Sequence, residues 1–296
     1  LISFISIVGL LAPLNPSAHA LSVPKTFKKL ATSSTLAKPG IIVFDPTTQT
    51  EIYSDAADEP RAPASVLKII SAAAAIYAFG PDKVFNTTIN STEDPDVYIL
   101  QGERDPWLTT NASEAKNLKR ARSTKLINEV INFRGDYSGL KIEFYGMFDA
   151  DIKSLRTYYD NKIKFERISK PAAIPGQEPT EISRITSPSL SKILNFTLLW
   201  SDNVLADRLA RNAAVEMGYS RDDLSLNLAF KETLSLLEVD STGLKVFDGS
   251  GLSRENRVSA RTIAELLLKI RNEPQYQAVY DGLPTSGKTG TLKKRF

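Results

Sequence analysis

The sequence predicts an α+β fold, with a mostly antiparallel sheet flanked by helices and an inserted subdomain. Three observations predict it. A strand hairpin opens the ordered part of the chain, a helix that is apolar on every face follows it, and amphipathic helices fill most of the sequence after residue 187 before one last strand.

The first twenty residues, LISFISIVGLLAPLNPSAHA, carry no charge. An apolar run over 1–12, two prolines and Ala18-His-Ala20 read as an export signal with an A-x-A cleavage site, too short for a membrane span. The basic n-region and initiator Met are missing from it. The mature chain is expected to start near Leu21, in the periplasm or the extracellular cell-wall space. GIIVFD at 40–45 reads as a strand, Pro46-Thr-Thr as a turn and EIYS at 51–54 as the returning strand. Residues 66–79 form a helix whose only polar members are Lys68 and Ser71; an alanine run favours it and Gly80 stops it. A helix apolar all round is a buried helix.

Between 87 and 170 the texture changes, with strands at 97–100 and 140–148 around a polar, basic helix at 113–133. This block reads as the inserted subdomain, leaving 21–86 and 171–296 for the main domain. Ser187-Pro188 opens a helix with a serine cap. That helix runs to about Trp200, breaks at Ser201-Asp-Asn203 and resumes over 204–217. Helices at 222–238 and 259–272, a tight turn at Asp248-Gly-Ser-Gly251 and a strand at 285–292 complete the chain. The chain ends six residues after Gly290, so the C-terminal part of the sheet is expected to be missing.

Composition narrows the chemistry. Of 296 residues, 42% are apolar and 24% charged, as in ordinary globular proteins. A net charge of +3 is too small to argue for nucleic-acid binding. Residues 111–170 hold 13 Lys/Arg against 8 Asp/Glu, a mild bias that reads as a solvated helix face. There is no cysteine, and the one histidine, His19, lies in the leader. A mature chain without either cannot run a Ser-His-Asp triad, a thiolate nucleophile or a His/Cys metal site. For an activated serine the fitting base is then a lysine, and Ser-x-x-Lys supplies one.

Ser-x-x-Lys occurs at Ser65/Lys68 and also at Ser22/Lys25, Ser113/Lys116, Ser138/Lys141 and Ser189/Lys192. The last four are explained by linker, turn or helix-start positions. Lys68 differs because it is the only charge on an apolar helix, where an unpaired ammonium costs several kcal/mol, on the order of the penalty for any buried ion. Burial also lowers a lysine pKa toward neutrality. At i and i+3 the two side chains share one face, and Ser65 sits where a helix N-terminus favours developing negative charge. Ser201-Asp-Asn203 lies at a helix break, whereas Ser225-Leu-Asn227 reads as helix surface. Lys288-Thr-Gly290 occurs once, beside Ser286-Gly287, where lysine and threonine suit a substrate carboxylate.

In this order the three motifs resemble those of the penicillin-recognising serine enzymes. The closer resemblance is to class C low-molecular-mass penicillin-binding proteins, the D-alanyl-D-alanine carboxypeptidase/endopeptidases of peptidoglycan. PASVLK at 63–68, DGSGLSR at 248–254, GKTGTL at 287–292 and residues 97–109 carry the likeness. It implies a β-lactamase/transpeptidase-like fold and a serine D-Ala-D-Ala carboxypeptidase. Ser65 is then the nucleophile, Lys68 its base, and Ser201 the proton shuttle to departing D-alanine. Asn203 binds the acyl side, Lys288 and Thr289 hold the terminal carboxylate, and the N–H groups of Ser65 and Thr291 form the oxyanion hole. Peptidoglycan stem peptides and β-lactams are the implied partners, with no cofactor, metal, nucleic acid or integral membrane partner. Alternatives are a DD-endopeptidase, a secreted β-lactamase and a truncated non-catalytic cell-wall binding protein. The glutamate of the class A β-lactamase Glu-x-x-Leu-Asn motif is absent.

Overall fold

The computed structural model describes residues 25–171 and 179–294. The export signal therefore lies outside the described residues. A short helix α1 (Lys25–Ala31) precedes the hairpin β1 (Ile41–Phe44) and β2 (Glu51–Asp55), whose antiparallel register sets Ile41 opposite Asp55. Helix α2 (Lys68–Phe79) then crosses the centre of the first core, with every residue from Lys68 to Ile76 buried. Gly80 ends it by donating its N–H to the Ile76 carbonyl at φ +74°, a conformation that costs glycine little.

The next elements build a second core. They are β3 (Asn86–Ser91), β4 (Val97–Gly102), α3 (Ala112–Leu118), α4 (Thr124–Arg134), β5 (Lys141–Tyr145), α5 (Asp149–Tyr158), β6 (Lys164–Arg167) and β7 (Glu181–Thr186). Their strands form one sheet in the order β6-β5-β4-β3-β7. The β4–β5 and β5–β6 pairs are parallel and the β3–β4 and β3–β7 pairs antiparallel. The helices supply the crossovers that parallel neighbours need. Ile89, Leu100, Ile142 and Phe144 alternate inward against Leu126, Ile127, Val130 and Ile152.

Here the structure departs from the sequence reading in three ways. The expected insert of 87–170 leaves out β7, which pairs with β3 and adds Ile185 to this core. The single helix expected over 113–133 is two, broken at Lys119 (φ +53°), where Arg120 turns back to the carbonyls of Pro106, Trp107 and Leu108. The helix expected from Ser187 starts at Leu190, because the Ser187 hydroxyl accepts the Phe85 N–H at 2.9 Å instead of capping.

The chain then returns to the first core through α6 (Leu190–Leu199), α7 (Asn203–Glu216), α8 (Asp223–Leu236), α9 (Ala260–Ile270) and α10 (Gln277–Asp281). Ala72, Ala73, Ala74 and Ala75 of α2 share this core with Ala210 and Ala213 of α7, and such small side chains let two helix backbones approach closely. The two cores are joined at α7. Its Arg208 forms a bidentate pair with Asp151 of α5 at 2.6 and 3.2 Å, and its Asn212 donates to the Arg104 carbonyl at 2.9 Å.

Residues 285–292 are not a strand, contrary to expectation. No strand pairs with them among the described residues, and an unpaired strand would leave its backbone groups unsatisfied. The segment closes on itself instead. Lys288 and Thr289 N–H bond to the Thr285 carbonyl at 3.0 and 2.9 Å, and Gly287 N–H bonds to Leu292. Glycines at positive φ, Gly287 (+71°) and Gly290 (+54°), permit the turn, which ends in a 3-10 helix at Gly290–Leu292.

Candidate active site

Pro63 ends the approach to a 3-10 turn, Ala64–Leu67, that runs directly into α2. Ser65 lies on this turn with its side chain exposed, and Lys68 begins the helix with only 2% of its surface exposed. The i, i+3 spacing brings Lys68 Nζ to 3.0 Å from Ser65 Oγ. Nζ also donates to Asn203 Oδ1 and to the Ser250 carbonyl, each at 2.7 Å. Three acceptors therefore surround a group with three donors. Burial pulls the Lys68 pKa below the ordinary lysine value, while the charges of Asp248 and Asp202 partly oppose it.

The break between α6 and α7 divides its labour by residue type. Ser201, at φ +55°, donates its hydroxyl to Ser65 Oγ at 2.9 Å. Asp202 caps α7 by accepting the Leu205 N–H at 2.9 Å, which satisfies an otherwise orphaned helix donor. Asn203 starts α7 and faces Lys68. Ser65 Oγ thus lies between an amine and a second hydroxyl, the arrangement needed to lose a proton to one and exchange it with the other.

The tight turn at Asp248-Gly-Ser-Gly251, within the stretch DGSGLSR that carries the family likeness, completes this wall. Asp248 Oδ1 accepts the N–H groups of Ser250 and Gly251 at 2.7 and 2.8 Å and the Ser250 hydroxyl at 2.6 Å. Its Oδ2 accepts from Ser253 N–H at 2.7 Å and Asn256 Nδ2 at 2.9 Å. Burial works against ionisation of Asp248, but these bonds outweigh it and hold the carboxyl below its usual pKa. The loop is thereby fixed with the Ser250 carbonyl on Lys68 and the Gly249 carbonyl on Ser71 Oγ, at 2.5 Å. Gly251 (φ +85°) is required here, since any side chain would overlap the Ala64 carbonyl, one residue before Ser65. The Asp-Gly-Ser-Gly spacing was the signal for this role.

Ser65, Ser201, Asn203, Gly251 and Arg254 line a cleft of about 350 Å³. Lys288, Thr289 and Thr291 neither line it nor hydrogen-bond to Ser65, Lys68 or Ser201. Their segment packs instead at Gly290 against Leu199, at the end of α6. The cation that lines the cleft is Arg254. The lookalike serines have other work: Ser113 and Ser138 donate backbone N–H groups to Asn111 and Asp136, and Ser189 precedes α6. Ser22 lies outside the described residues. Asn227 accepts the Val246 N–H and does not line the cleft. Among the described residues no cluster of His, Cys, Asp or Glu could hold a metal ion, and no helix is long and apolar enough to cross a membrane.

Known proteins share this arrangement of elements. Residues 25–134 and 160–296 match the D-Ala-D-Ala carboxypeptidase 3 (S13) family. Carboxypeptidase DacB of Mycolicibacterium smegmatis is 27% identical over 333 residues, covering 93% of this chain and 72% of the relative. A D-alanyl-D-alanine carboxypeptidase of an Actinomadura species is 24% identical over 379 residues, covering 88% and 70%. In fold, the chain is similar to penicillin binding protein 4 (dacB) from Haemophilus influenzae, with TM-score 0.66 and 16% identity over 86% of this chain and 80% of that one. A predatory peptidoglycan endopeptidase from Bdellovibrio bacteriovorus gives TM-score 0.59 at 16% identity over 87% and 76%. With most of its length matched, the chain belongs to the D-Ala-D-Ala carboxypeptidase 3 (S13) family, serine peptidases of the low-molecular-mass penicillin-binding kind.

Proposed function

We propose that this chain removes the terminal D-alanine of peptidoglycan stem peptides through an acyl-enzyme on Ser65, and that β-lactams acylate the same hydroxyl. The observation that carries the reading is Ser65 Oγ held between Lys68 Nζ at 3.0 Å and Ser201 Oγ at 2.9 Å. Lys68 in its amine form takes the Ser65 proton as Oγ adds to the carbonyl of the D-Ala-D-Ala bond. The proton passes through Ser201 to the amine of the departing D-alanine. Water then attacks the ester with Lys68 again as base and releases the shortened peptide. Asn203 keeps Lys68 aimed at Ser65 and offers its amide N–H groups to the acyl side.

The oxyanion and the terminal carboxylate need donors at the open side of the cleft. The Ser65 N–H supplies one for the oxyanion. In the arrangement described here Arg254 is the cation that a carboxylate meets. Lys288, Thr289 and the Thr291 N–H take the roles implied by family resemblance when segment 285–292 lies along the cleft. The leader at 1–20 fits export to the wall, where this substrate is found, and no residue of 87–170 or β7 lines the cleft.

The test is release of D-alanine from a pentapeptide set beside cleavage of cross-linked dimers. Faster D-alanine release supports the carboxypeptidase. Dimer cleavage without D-alanine release replaces it with the endopeptidase reading.

A further inference from the structure

Among the described residues the helices of the second core pack on one face of its sheet, and the two ends of the other face differ in charge. At the β5–β6 end, Lys141 bonds to Glu143 at 2.6 Å and pairs with Glu166 at 3.3 Å, and Lys164 pairs with Glu166 at 3.3 Å. That end is a balanced ladder, as expected of a solvated face. The other end is not balanced. One cross-strand row, Arg184–Thr88–Gln101–Tyr145, runs over β7, β3, β4 and β5. It floors a groove of about 600 Å³ whose sides include Arg104, Arg167 and Lys170. Glu103 is the one acid among the lining residues, and it is already paired with Lys83 at 2.9 Å. Arg184 and Arg167 each have one acidic partner, Glu181 and Asp149. Arg104 and Lys170 have no acidic partner within salt-bridge distance among the described residues.

The groove is built rather than incidental. Gly146 (φ +65°) lies so close to Gly102 that a side chain would overlap the Gly102 carbonyl, which draws the ends of β4 and β5 together at its floor. Arg104 is fixed through its backbone, its N–H on the Gly146 carbonyl at 2.7 Å and its carbonyl on Asn212 of α7. The same helix begins at Asn203 in the active site. Guanidinium groups beside the Gln101 amide, whose Oε1 already accepts the Tyr145 hydroxyl, suit planar oxyanions, which they bind in a fork.

We propose that this groove binds the carboxylates of stem peptides adjoining the one being cleaved, so that the insert holds a peptidoglycan strand while one peptide enters the Ser65 cleft. The inference rests on the peptidoglycan reading above. The chemistry it requires is several carboxylates on a flexible polymer, and a phosphate polymer is the competing source of such charge.

The test uses the full chain in a Ser65→Ala background, to prevent turnover, and a soluble uncross-linked peptidoglycan strand bearing several stem peptides. Arg104→Glu with Lys170→Glu is expected to weaken strand binding about tenfold and to flatten its salt dependence. Lys170→Glu alone, at an exposed position, should carry part of that loss without threatening the fold. With Ser65 intact, penicillin acylation of the double variant should stay within about twofold of the wild type, since neither residue touches the cleft. Strand affinity unchanged by charge reversal would overturn the inference. So would a loss seen with polyphosphate but not with the strand. Failure of penicillin to label Ser65 in the unaltered chain would instead count against the activity itself, so the two failures are distinguishable.

Discussion

Replacing Asp248 by asparagine removes one charge and turns one acceptor oxygen into a donor at the hub of the loop behind Ser65. If the amide nitrogen takes the place of Oδ2, it faces the Ser253 N–H and Asn256 Nδ2, now 2.7 and 2.9 Å away, as a donor among donors. If the side chain flips, the mismatch falls on Ser250 and Gly251. Either way at least two charge-assisted bonds are lost, at about 1.5 kcal/mol each at this half-buried site, or about 3 kcal/mol. For a chain of this size that corresponds to a fall in melting temperature of about 5 °C. The loop also sets the Ser250 carbonyl on Lys68, so the second-order rate of penicillin acylation should fall by about tenfold or more. Thermal unfolding and stopped-flow acylation measure the two effects. Because the Asp248 pKa is depressed in the folded chain, its contribution is present above the unfolded carboxylate pKa and disappears as pH falls through the folded value. The variant and wild type should therefore converge in strong acid. A melting temperature within about 2 °C of the wild type at neutral pH, with unaltered acylation, would refute the assignment of Asp248 as the hub.

Two further outcomes follow from the site. With Lys68 as the proposed base, acylation needs its amine form, so the rate should rise with pH through an inflection below the ordinary lysine value of 10.5. Asp248→Asn should lower that inflection further, because it removes the leading charge that opposes burial; a flat pH–rate profile would exclude Lys68 as base. The cation serving the terminal carboxylate is read by comparing Arg254→Ala with Lys288→Ala on a D-Ala-D-Ala peptide. The closed turn at 285–292 predicts the larger rise in KM for Arg254, and a larger rise for Lys288 would mean that this segment lies along the cleft during turnover.

The chemistry was more legible in the sequence than the sheet was. Lys68 could be picked out because a charge on an all-apolar helix has few stable explanations, and the break at Ser201-Asp-Asn203 because three capping residues interrupt an apolar period. Both depend on local spacing, which sequence carries well. The mixed sheet of the insert was only half visible. Its edge strand β6 is short and charged, and β7 lies beyond a proline-rich stretch, so neither shows strong alternation. The strand expected at 285–292 failed for a different reason. Its alternation is compatible with a strand, but strand formation depends on a pairing partner, which no local pattern specifies. The partners of Lys68 on the Asp248 loop, 182 residues away at Ser250, were likewise set by packing of α2 against α7.

The central claim is that Ser65, activated by Lys68, is the nucleophile. Peptide mass mapping after incubation with labelled penicillin tests it most directly. The structure predicts one covalent adduct, on Ser65, lost in Ser65→Ala and strongly slowed in Lys68→Ala. An adduct that persists in Ser65→Ala, or no adduct on a folded chain, would contradict it.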